Sequence, residues 1–382
     1  MSYLQESAGP DLVGADLGAG SLSIVVPIYK EAANLPHLIP AIAECMAAAK
    51  LTYEVILVDD NSRDGTEELV ASMVDKYPVR LLVRMQERGL STAVIHGCRR
   101  ARGEFLVCMD ADLSHPPERI AALVEQVRDG GAEFAIGSRY VQGGRMDDNW
   151  GLFRWLNSRV ATGLARPLTR AKDPMSGFFC LRRQTFQGAP ALSPVGYKIG
   201  LELLVKCRCR NVKEIPIHFR DRQYGQSKLS LREQWNYVKH VKRLMDFKYG
   251  VLSKFLQFCF VGGTGMVVDL AIFNLLLVAA VGLPIARACA IGVAMTWNFW
   301  VNRRLTFSES RLPNWLVQYL TFVAACSVGA VVNWATSMTL VRMGGVWESH
   351  PTLAAIAGIL AGTIFNFLAS LLGVFRKPRR RA

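Results

Sequence analysis

Gly103-Glu104-Phe105-Leu106-Val107-Cys108-Met109-Asp110-Ala111-Asp112 is a short apolar run that ends on two acidic residues one position apart. A run this compact has no room for a helical apolar face and reads as a strand buried on both sides. Working outward, the same shape recurs at residues 21–27 (SLSIVVP), 53–60 (YEVILVDD), 79–83 (VRLLV) and 132–139 (AEFAIGSR). Helix-length segments separate these runs, with turn chemistry at Asn61-Ser62-Arg63-Asp64-Gly65 and His115-Pro116-Pro117. The alternation predicts an α/β domain with a doubly wound sheet. Ligands of such sheets bind beyond the carboxyl ends of the strands, where Asp59, Asp60, Asp110 and Asp112 fall.

Carboxylates at positions i and i+2 of an extended segment share one side and repel each other unless a cation lies between them. Hard divalent ions, Mg2+ or Mn2+, take oxygen ligands of this kind and can bridge a diphosphate. The same residues also fit a solvated turn that caps a helix starting at His115-Pro116-Pro117-Glu118. The motif alone leaves both readings open.

Further segments accompany it in order: Val26-Pro27-Ile28-Tyr29-Lys30-Glu31, Val58-Asp59-Asp60-Asn61-Ser62, Gly137-Ser138-Arg139-Tyr140, Asp173-Pro174-Met175-Ser176-Gly177-Phe178, Gly196-Tyr197-Lys198-Ile199 and Tyr224-Gly225-Gln226-Ser227-Lys228. Together they resemble the polyprenyl-phosphate glycosyltransferases of the GT-A fold (glycosyltransferase family 2), in particular the dolichol-phosphate mannosyltransferases. The resemblance implies a GT-A domain over residues 21–230. It places Pro27, Tyr29, Glu31, Val58 and Asp60 around the donor nucleoside, Ala111 with them, and Asp110 and Asp112 on the metal and donor diphosphate. An aromatic face for stacking and a carboxylate that accepts from ribose or ring N–H groups suit that role. Ser114 stands where many members have Gln as a further metal ligand; its hydroxyl reaches less far, and water can take that place. Arg139 and Arg154 are implied as ligands of the acceptor phosphate, Arg222 and Lys228 as cations over the donor diphosphate, and Asp112 and Arg139 as the residues on which catalysis turns. A guanidinium suits bidentate phosphate contact.

The implied reaction moves mannose from GDP-mannose to a polyprenyl (dolichyl) phosphate. An acceptor phosphate with a second pKa of about 6 is already ionised near neutrality, so no strong general base is required. One in-line displacement inverts the anomeric centre and gives a β-mannosyl phosphoryl lipid. A UDP-sugar donor such as UDP-glucose is the alternative within the same chemistry, and translocation of the glycosylated lipid by the membrane portion is an alternative of another class.

From Phe255 onward lie four apolar runs, residues 255–280, 285–302, 315–341 and 352–375, each long enough to span a bilayer core of about 30 Å. Flanking Lys and Arg number thirteen on one side (239–254, 303–314, 376–382) against Arg287 and Arg342 on the other. The positive-inside rule then puts both termini and the catalytic domain in the cytoplasm. A shift of 64 aligns Gly265 with Gly329 and Asp269 with Asn333, and a shift of 68 aligns Asn298 with Asn366. This duplicated pattern, over residues 255–376, resembles the GtrA-like membrane domains. Asp269 is predicted to face the bundle interior beside Asn298 or Asn333, and Gly358-x-x-x-Gly362 to pack helices closely within the bundle or a homo-oligomer. Residues 231–254 read as a basic amphipathic helix that lies on the lipid surface or covers the soluble core, its apolar face running through Leu231, Trp235, Val238, Val241, Leu244 and Met245. Residues 1–20 read as a flexible tail without a signal sequence, and 377–382 as a basic cytoplasmic tail.

The net charge of +14 does not imply nucleic acid. The membrane portion alone carries ten Lys+Arg and three Asp+Glu, a net +7 explained by topology. Nine cysteines without zinc spacing fit reduced thiols.

Overall fold

The computed structural model describes residues 6–7, 16–146, 152–193, 198–220, 231–310 and 314–375, in two compact units, Met1–Lys248 and Tyr249–Ala382. The first unit opens with β1 (Glu6–Ser7), β2 (Leu22–Ile28), α1 (Leu35–Ala48), β3 (Tyr53–Asp59), α2 (Thr66–Ala71), β4 (Val79–Val83), α3 (Leu90–Arg100) and β5 (Phe105–Cys108). It continues with α4 (Ile120–Arg128), β6 (Phe134–Ser138), β7 (Arg145–Met146), α5 (Leu152–Ala165), β8 (Phe179–Arg182), α6 (Arg183–Gln187), α7 (Ile199–Lys206), β9 (Val212–Pro216), β10 (His218–Phe219) and α8 (Leu231–Tyr249).

The main sheet runs β1-β4-β3-β2-β5-β8-β6-β9, and β7 and β10 form a small parallel pair. Strands β4, β3, β2 and β5 are parallel, as the apolar runs predict. The sheet is nonetheless mixed, because β8 enters antiparallel between β5 and β6. This insertion brings the segment just before β8, residues 173–178, to the carboxyl end of β5. Alternate residues of β2 serve opposite faces: Leu22, Ile24, Val26 and Ile28 pack with α1 and α4, and Val25 packs with α3 and α7. Both faces are covered, which explains why the strand is apolar throughout. Helix α3 approaches the sheet at Gly97, where a Cβ would come within 2.5 Å of Val25 Cγ1 and 2.9 Å of Val58 Cγ2.

Helix α8 is shorter than the predicted 231–254 segment. It stops at Tyr249, since Gly250 adopts a positive φ of 52°, and a new helix starts at Val251. Its buried face is Tyr237, Val241 and Leu244, packed on Ala165, Leu168, Leu201 and Val205. Trp235 and Val238, the other apolar residues of the predicted face, are 61% and 43% exposed.

The second unit holds α9 (Val251–Val278), α10 (Leu283–Arg304), α11 (Trp315–Arg342), a short α12 (Val346–Ser349) and α13 (Pro351–Ala369), followed by a wider helical turn at Ser370–Val374. The sequence predicts four spans; by length and composition three segments of the described residues qualify, Val251–Val278, Trp315–Arg342 and Ile356–Val374. The remaining predicted span corresponds to α10, 22 residues long and ending on Arg303 and Arg304.

Helix α9 packs chiefly on α10, and α11 on α13. The two hairpins repeat one device: Gly265 of α9 lies against the Asn298 carboxamide of α10, and Gly329 of α11 against that of Asn366 on α13. Gly358 and Gly362 spend their small face on Ser337, Asn333 and Gly329 of α11, so the motif packs helices within this chain. Asn333 is engaged there too: its carbonyl accepts from Ser337 Oγ at 3.0 Å. Six phenylalanines, Phe258, Phe299, Phe307, Phe322, Phe367 and Phe375, form the core of this unit.

Candidate active site

Strand β5 delivers the acidic pair. The chain leaves β5 through Met109, whose N–H donates to Val25 O at 3.2 Å, and then turns sharply, with Leu113 at φ 60°. A bulky residue in that region is strained and persists only where its surroundings fix it. The fixing groups are polar. Ser114 donates to Asp112 Oδ1 through Oγ at 2.5 Å and through N–H at 3.2 Å. His115 Nδ1 accepts the Asp110 N–H at 2.9 Å, which assigns the ring proton to Nε2. The His115 ring stacks on Phe178 at 5.2 Å and meets Phe219 edge-on. Burial lowers its pKa, against the opposing pull of Asp110 and Asp112. A neutral imidazole holds the loop without placing a competing cation beside the two carboxylates.

Asp110 keeps 28% of its side chain exposed, while Asp112 is buried. Gly177 provides the clearance: a Cβ there would meet Asp110 Oδ1 and Oδ2 at 3.4 and 3.5 Å and His115 Cε1 at 3.3 Å. Two carboxylates with hard oxygen donors and a glycine beside one of them fit Mg2+ or Mn2+. Ser114, predicted as a further ligand, is fully buried and its hydroxyl is directed at Asp112. The geometry makes it an orienter of the carboxylate. Ala111 is likewise buried, at 3% exposure.

Arg139, at the end of β6, is gripped by Asp173. Its Nε and Nη2 donate to the two carboxylate oxygens at 2.8 Å each, and its backbone N–H donates to Oδ2 at 3.0 Å. Burial pulls the Arg139 pKa down, and the hydrogen bonds and charge of Asp173 more than reverse this. The guanidinium also lies over the Tyr140 and Phe219 rings, at 5.3 and 5.2 Å. Asp173 is placed in turn by its own N–H and that of Lys172, which donate to Glu214 at 2.9 and 2.7 Å. Ser176 ties the same loop to β6 by donating to Gly137 O at 2.7 Å.

Lys198, just before α7, joins this group: its Nζ donates to Met175 O at 3.2 Å. The side chain is half-buried as a whole, but its ammonium lies deep enough for desolvation, aided by Arg139, to push its pKa down to about 8, with Asp173 and Asp110 acting in the opposite sense.

Of the residues predicted to face the donor, Tyr29 is 36% exposed, with the Arg88 guanidinium 5.4 Å from its ring centre. Glu31 accepts from Asn34 Nδ2 at 2.5 Å, and Pro27 lies in β2 beside Val58 of β3. Two further residues of the predicted donor set are buried in the structure. The Val58 side chain is fully buried beneath α3, in the strand that leads to Asp59. Asp60 is also buried. Its carboxylate accepts from Arg84 Nε at 2.7 Å and from Gly89 N–H at 2.7 Å, which secures the 84–89 loop. Burial raises the Asp59 pKa, against two hydrogen bonds from Ser62.

The structure thus gathers Asp110, Asp112, Arg139, Asp173 and Lys198 at one end of the sheet. Arg154 lies on α5, but its side chain falls outside the described residues, as do Arg222 and Lys228. Sequence reasoning gave no role to Asp173, His115 or Lys198. All three sit inside motifs quoted above, and the available signal was an acid, an imidazole and an ammonium placed within otherwise apolar or small-residue segments.

Residues 23–188 match the model of the glycosyl transferase family 2, and residues 257–375 match the GtrA/DPMS transmembrane domain. The chain is 37% identical over 343 residues to a dolichol-phosphate mannosyltransferase of Pyrococcus furiosus, covering 89% of this chain and 95% of the relative. Dolichol-phosphate mannosyltransferases of Mycosarcoma maydis and Saccharomyces cerevisiae are each 41% identical, over 61% and 62% of this chain and 81% and 92% of their own.

Proposed function

The chain belongs to the polyprenyl-phosphate glycosyltransferases of family 2 that carry a GtrA/DPMS transmembrane domain, and from that premise we propose that it transfers mannose from GDP-mannose to a polyprenyl (dolichyl) phosphate, releasing GDP. The observation that carries this reading is the 37% identity that runs through both domains of a relative named for mannosyl transfer to dolichol phosphate. The arrangement of Asp110, Arg139 and Asp173 supports it chemically.

In this reading the donor nucleoside lies against Tyr29, with Glu31 accepting hydrogen bonds from it. Asp110 and Asp112 hold Mg2+ or Mn2+, which supplies charge neutralisation for the departing nucleoside diphosphate. Arg222 and Lys228 approach the same diphosphate. Arg139 and Arg154 bind the acceptor phosphate, and Asp173 keeps the Arg139 guanidinium in one orientation so that none of its order must be created on binding. An acceptor phosphate oxygen attacks the anomeric carbon as the bond to the diphosphate breaks. No proton has to move, and the anomeric centre inverts. Neutral His115 holds the loop under Asp110 throughout.

The membrane unit anchors the catalytic domain where a lipid phosphate can reach it. In this reading α9, α10, α11 and α13 make four crossings of the cell membrane, with both termini and the catalytic domain on the cytoplasmic face, a placement the flanking charge distribution supports.

The test is a transfer assay with purified full-length protein, dolichyl phosphate and Mn2+, offering labelled GDP-mannose and UDP-glucose separately. Label reaching extractable lipid from GDP-mannose alone supports the proposal. Label from UDP-glucose alone moves the enzyme to a glucosyl donor, and label from neither overturns the donor assignment altogether.

A further inference from the structure

We propose that Arg88 closes over the nucleobase of the sugar-nucleotide donor, so that the base is held between the Tyr29 ring and the Arg88 guanidinium. The inference rests on the glycosyltransferase reading above, in which the donor nucleoside lies against Tyr29, and adds the residue that covers the other face. It starts from the way the loops at the carboxyl ends of β2, β3 and β4 are tied together. Lys30 N–H donates to Ser62 Oγ at 2.8 Å and Ala32 N–H to Asp64 Oδ2 at 3.2 Å, which fastens the loop carrying Tyr29 to the loop after β3. Asp60, from that second loop, accepts from Gly89 N–H and Arg84 Nε at 2.7 Å each. Arg84 Nη1 donates to Thr92 Oγ1 at 2.9 Å and pairs with Glu87 at 3.6 Å. These contacts fix the chain on either side of residue 88. The Arg88 side chain is exposed on the rim, with its guanidinium carbon 5.4 Å from the centre of the Tyr29 ring.

The separation is intermediate between a collapsed pair and an open slot. A guanidinium stacked directly on a ring comes to about 3.5–4.0 Å, and a flat base inserted between the two needs about 7 Å, twice the shorter contact. Starting from 5.4 Å, Arg88 has to lift by about 7 − 5.4 = 1.6 Å to admit a base. A long exposed side chain makes that movement without disturbing the anchored backbone. The contact it makes with the Tyr29 ring is then exchanged for one with the base, while Tyr29 stacks on the base from the other side, so opening the slot sacrifices little. Lys30 Nζ also lies 5.7 Å from the Tyr29 ring, but an ammonium offers no plane, whereas a guanidinium stacks flat. Because the contact grows with the area of the base, a two-ring purine gains more from it than a one-ring pyrimidine.

The experiment uses the full chain in detergent and compares wild type, Arg88→Ala and Arg88→Lys. Calorimetric titration with Mn2+ present gives the Kd for GDP, for UDP and for inorganic pyrophosphate, which has no base, and a thermal scan monitors folding. Loss of one stacked cation predicts that Arg88→Ala binds GDP about tenfold more weakly. UDP should lose less, pyrophosphate should stay within about twofold of wild type on the same reasoning, and the melting temperature should not move. Arg88→Lys keeps the charge without the plane and should remain impaired for GDP. An unchanged Kd for GDP in Arg88→Ala overturns the proposal. So does a loss shared equally by pyrophosphate and restored by lysine, which marks a phosphate contact, and so does a loss that comes with a lowered melting temperature, which marks a role in holding the loop. A wild type that binds UDP and not GDP ends the GDP-mannose assignment and still tests the clamp: in Arg88→Ala, weaker UDP with unchanged pyrophosphate upholds it, and unchanged UDP overturns it.

Discussion

Replacing Asp173 by Asn removes one charge and alters no volume. Asp173 is fully buried and Arg139 keeps only 9% of its side chain exposed, so the substitution leaves a guanidinium in a poorly solvated place with one carboxamide oxygen where two charged oxygens stood. Two ionised groups about 4 Å apart at an effective dielectric constant of about 20 attract by roughly 4 kcal/mol, and breaking a buried pair by removing one partner costs about 3–5 kcal/mol. Stacking over Tyr140 and Phe219 survives and softens the loss. We expect about 3 kcal/mol, equivalent to a fall in melting temperature of about 6–12 °C for a domain of this size. The assay is thermal unfolding of the full chain in detergent, for Asp173→Asn, Arg139→Met and the double variant. Because the stranded guanidinium is what costs, the double variant should be more stable than the sum of the two single losses predicts, by at least about 1.5 kcal/mol. A melting temperature for Asp173→Asn within 2 °C of wild type by this ~3 kcal/mol reasoning, or strictly additive losses, would refute the buried-pair argument.

Other consequences follow from the same geometry. Gly177→Ala places a methyl group 3.3 Å from His115 and 3.4 Å from Asp110, so the concentration of Mn2+ needed for half-maximal transfer should rise by about tenfold, within the range that outer-shell changes produce. Gly265→Val and Gly329→Val drive a side chain into Asn298 and Asn366, and both should lower the yield of folded membrane domain on size-exclusion chromatography in detergent, whereas Gly262→Val, with open space beside it, should not. His96 has its pKa lowered to about 4, chiefly by burial and then by Arg100 and Arg84. The folded state therefore binds fewer protons than the unfolded one, and stability present above pH 6.5 is lost as the pH falls toward 4. After discounting for partial exposure this amounts to about 1–2 kcal/mol, and His96→Leu should flatten the acid side of the melting-temperature profile.

The strands were legible because β2, β3, β4 and β6 are buried on both faces, and burial of that kind leaves an unbroken apolar run with no amphipathic alternative. Strand β8 escaped notice because Phe179–Arg182 is only four residues long and merges with the Ser176-Gly177-Phe178 turn. The acidic pair after β5 was readable for the same reason as the strand, since carboxylates that follow a buried run have to emerge at its end. Asp60 shows the limit of such reasoning. Its position in the motif is visible, but its use depends on Arg84 and Gly89, which are 24 and 29 residues away in the chain. Asp173 and Arg139 are 34 residues apart, and only the folded sheet makes them a pair. In the membrane unit the duplication was readable as spacing, yet the reason for it, a glycine opposite an asparagine in each hairpin, required the packed helices.

The measurement that bears most directly on the whole account is the rate at which label from GDP-mannose enters extractable lipid, compared between wild type and Asp112→Asn in the same preparation with saturating Mn2+. The wild type should transfer readily and the variant should lose about a hundredfold or more, the scale expected when a charge that stabilises the departing group is no longer held in place. Equal rates for the two proteins would contradict it.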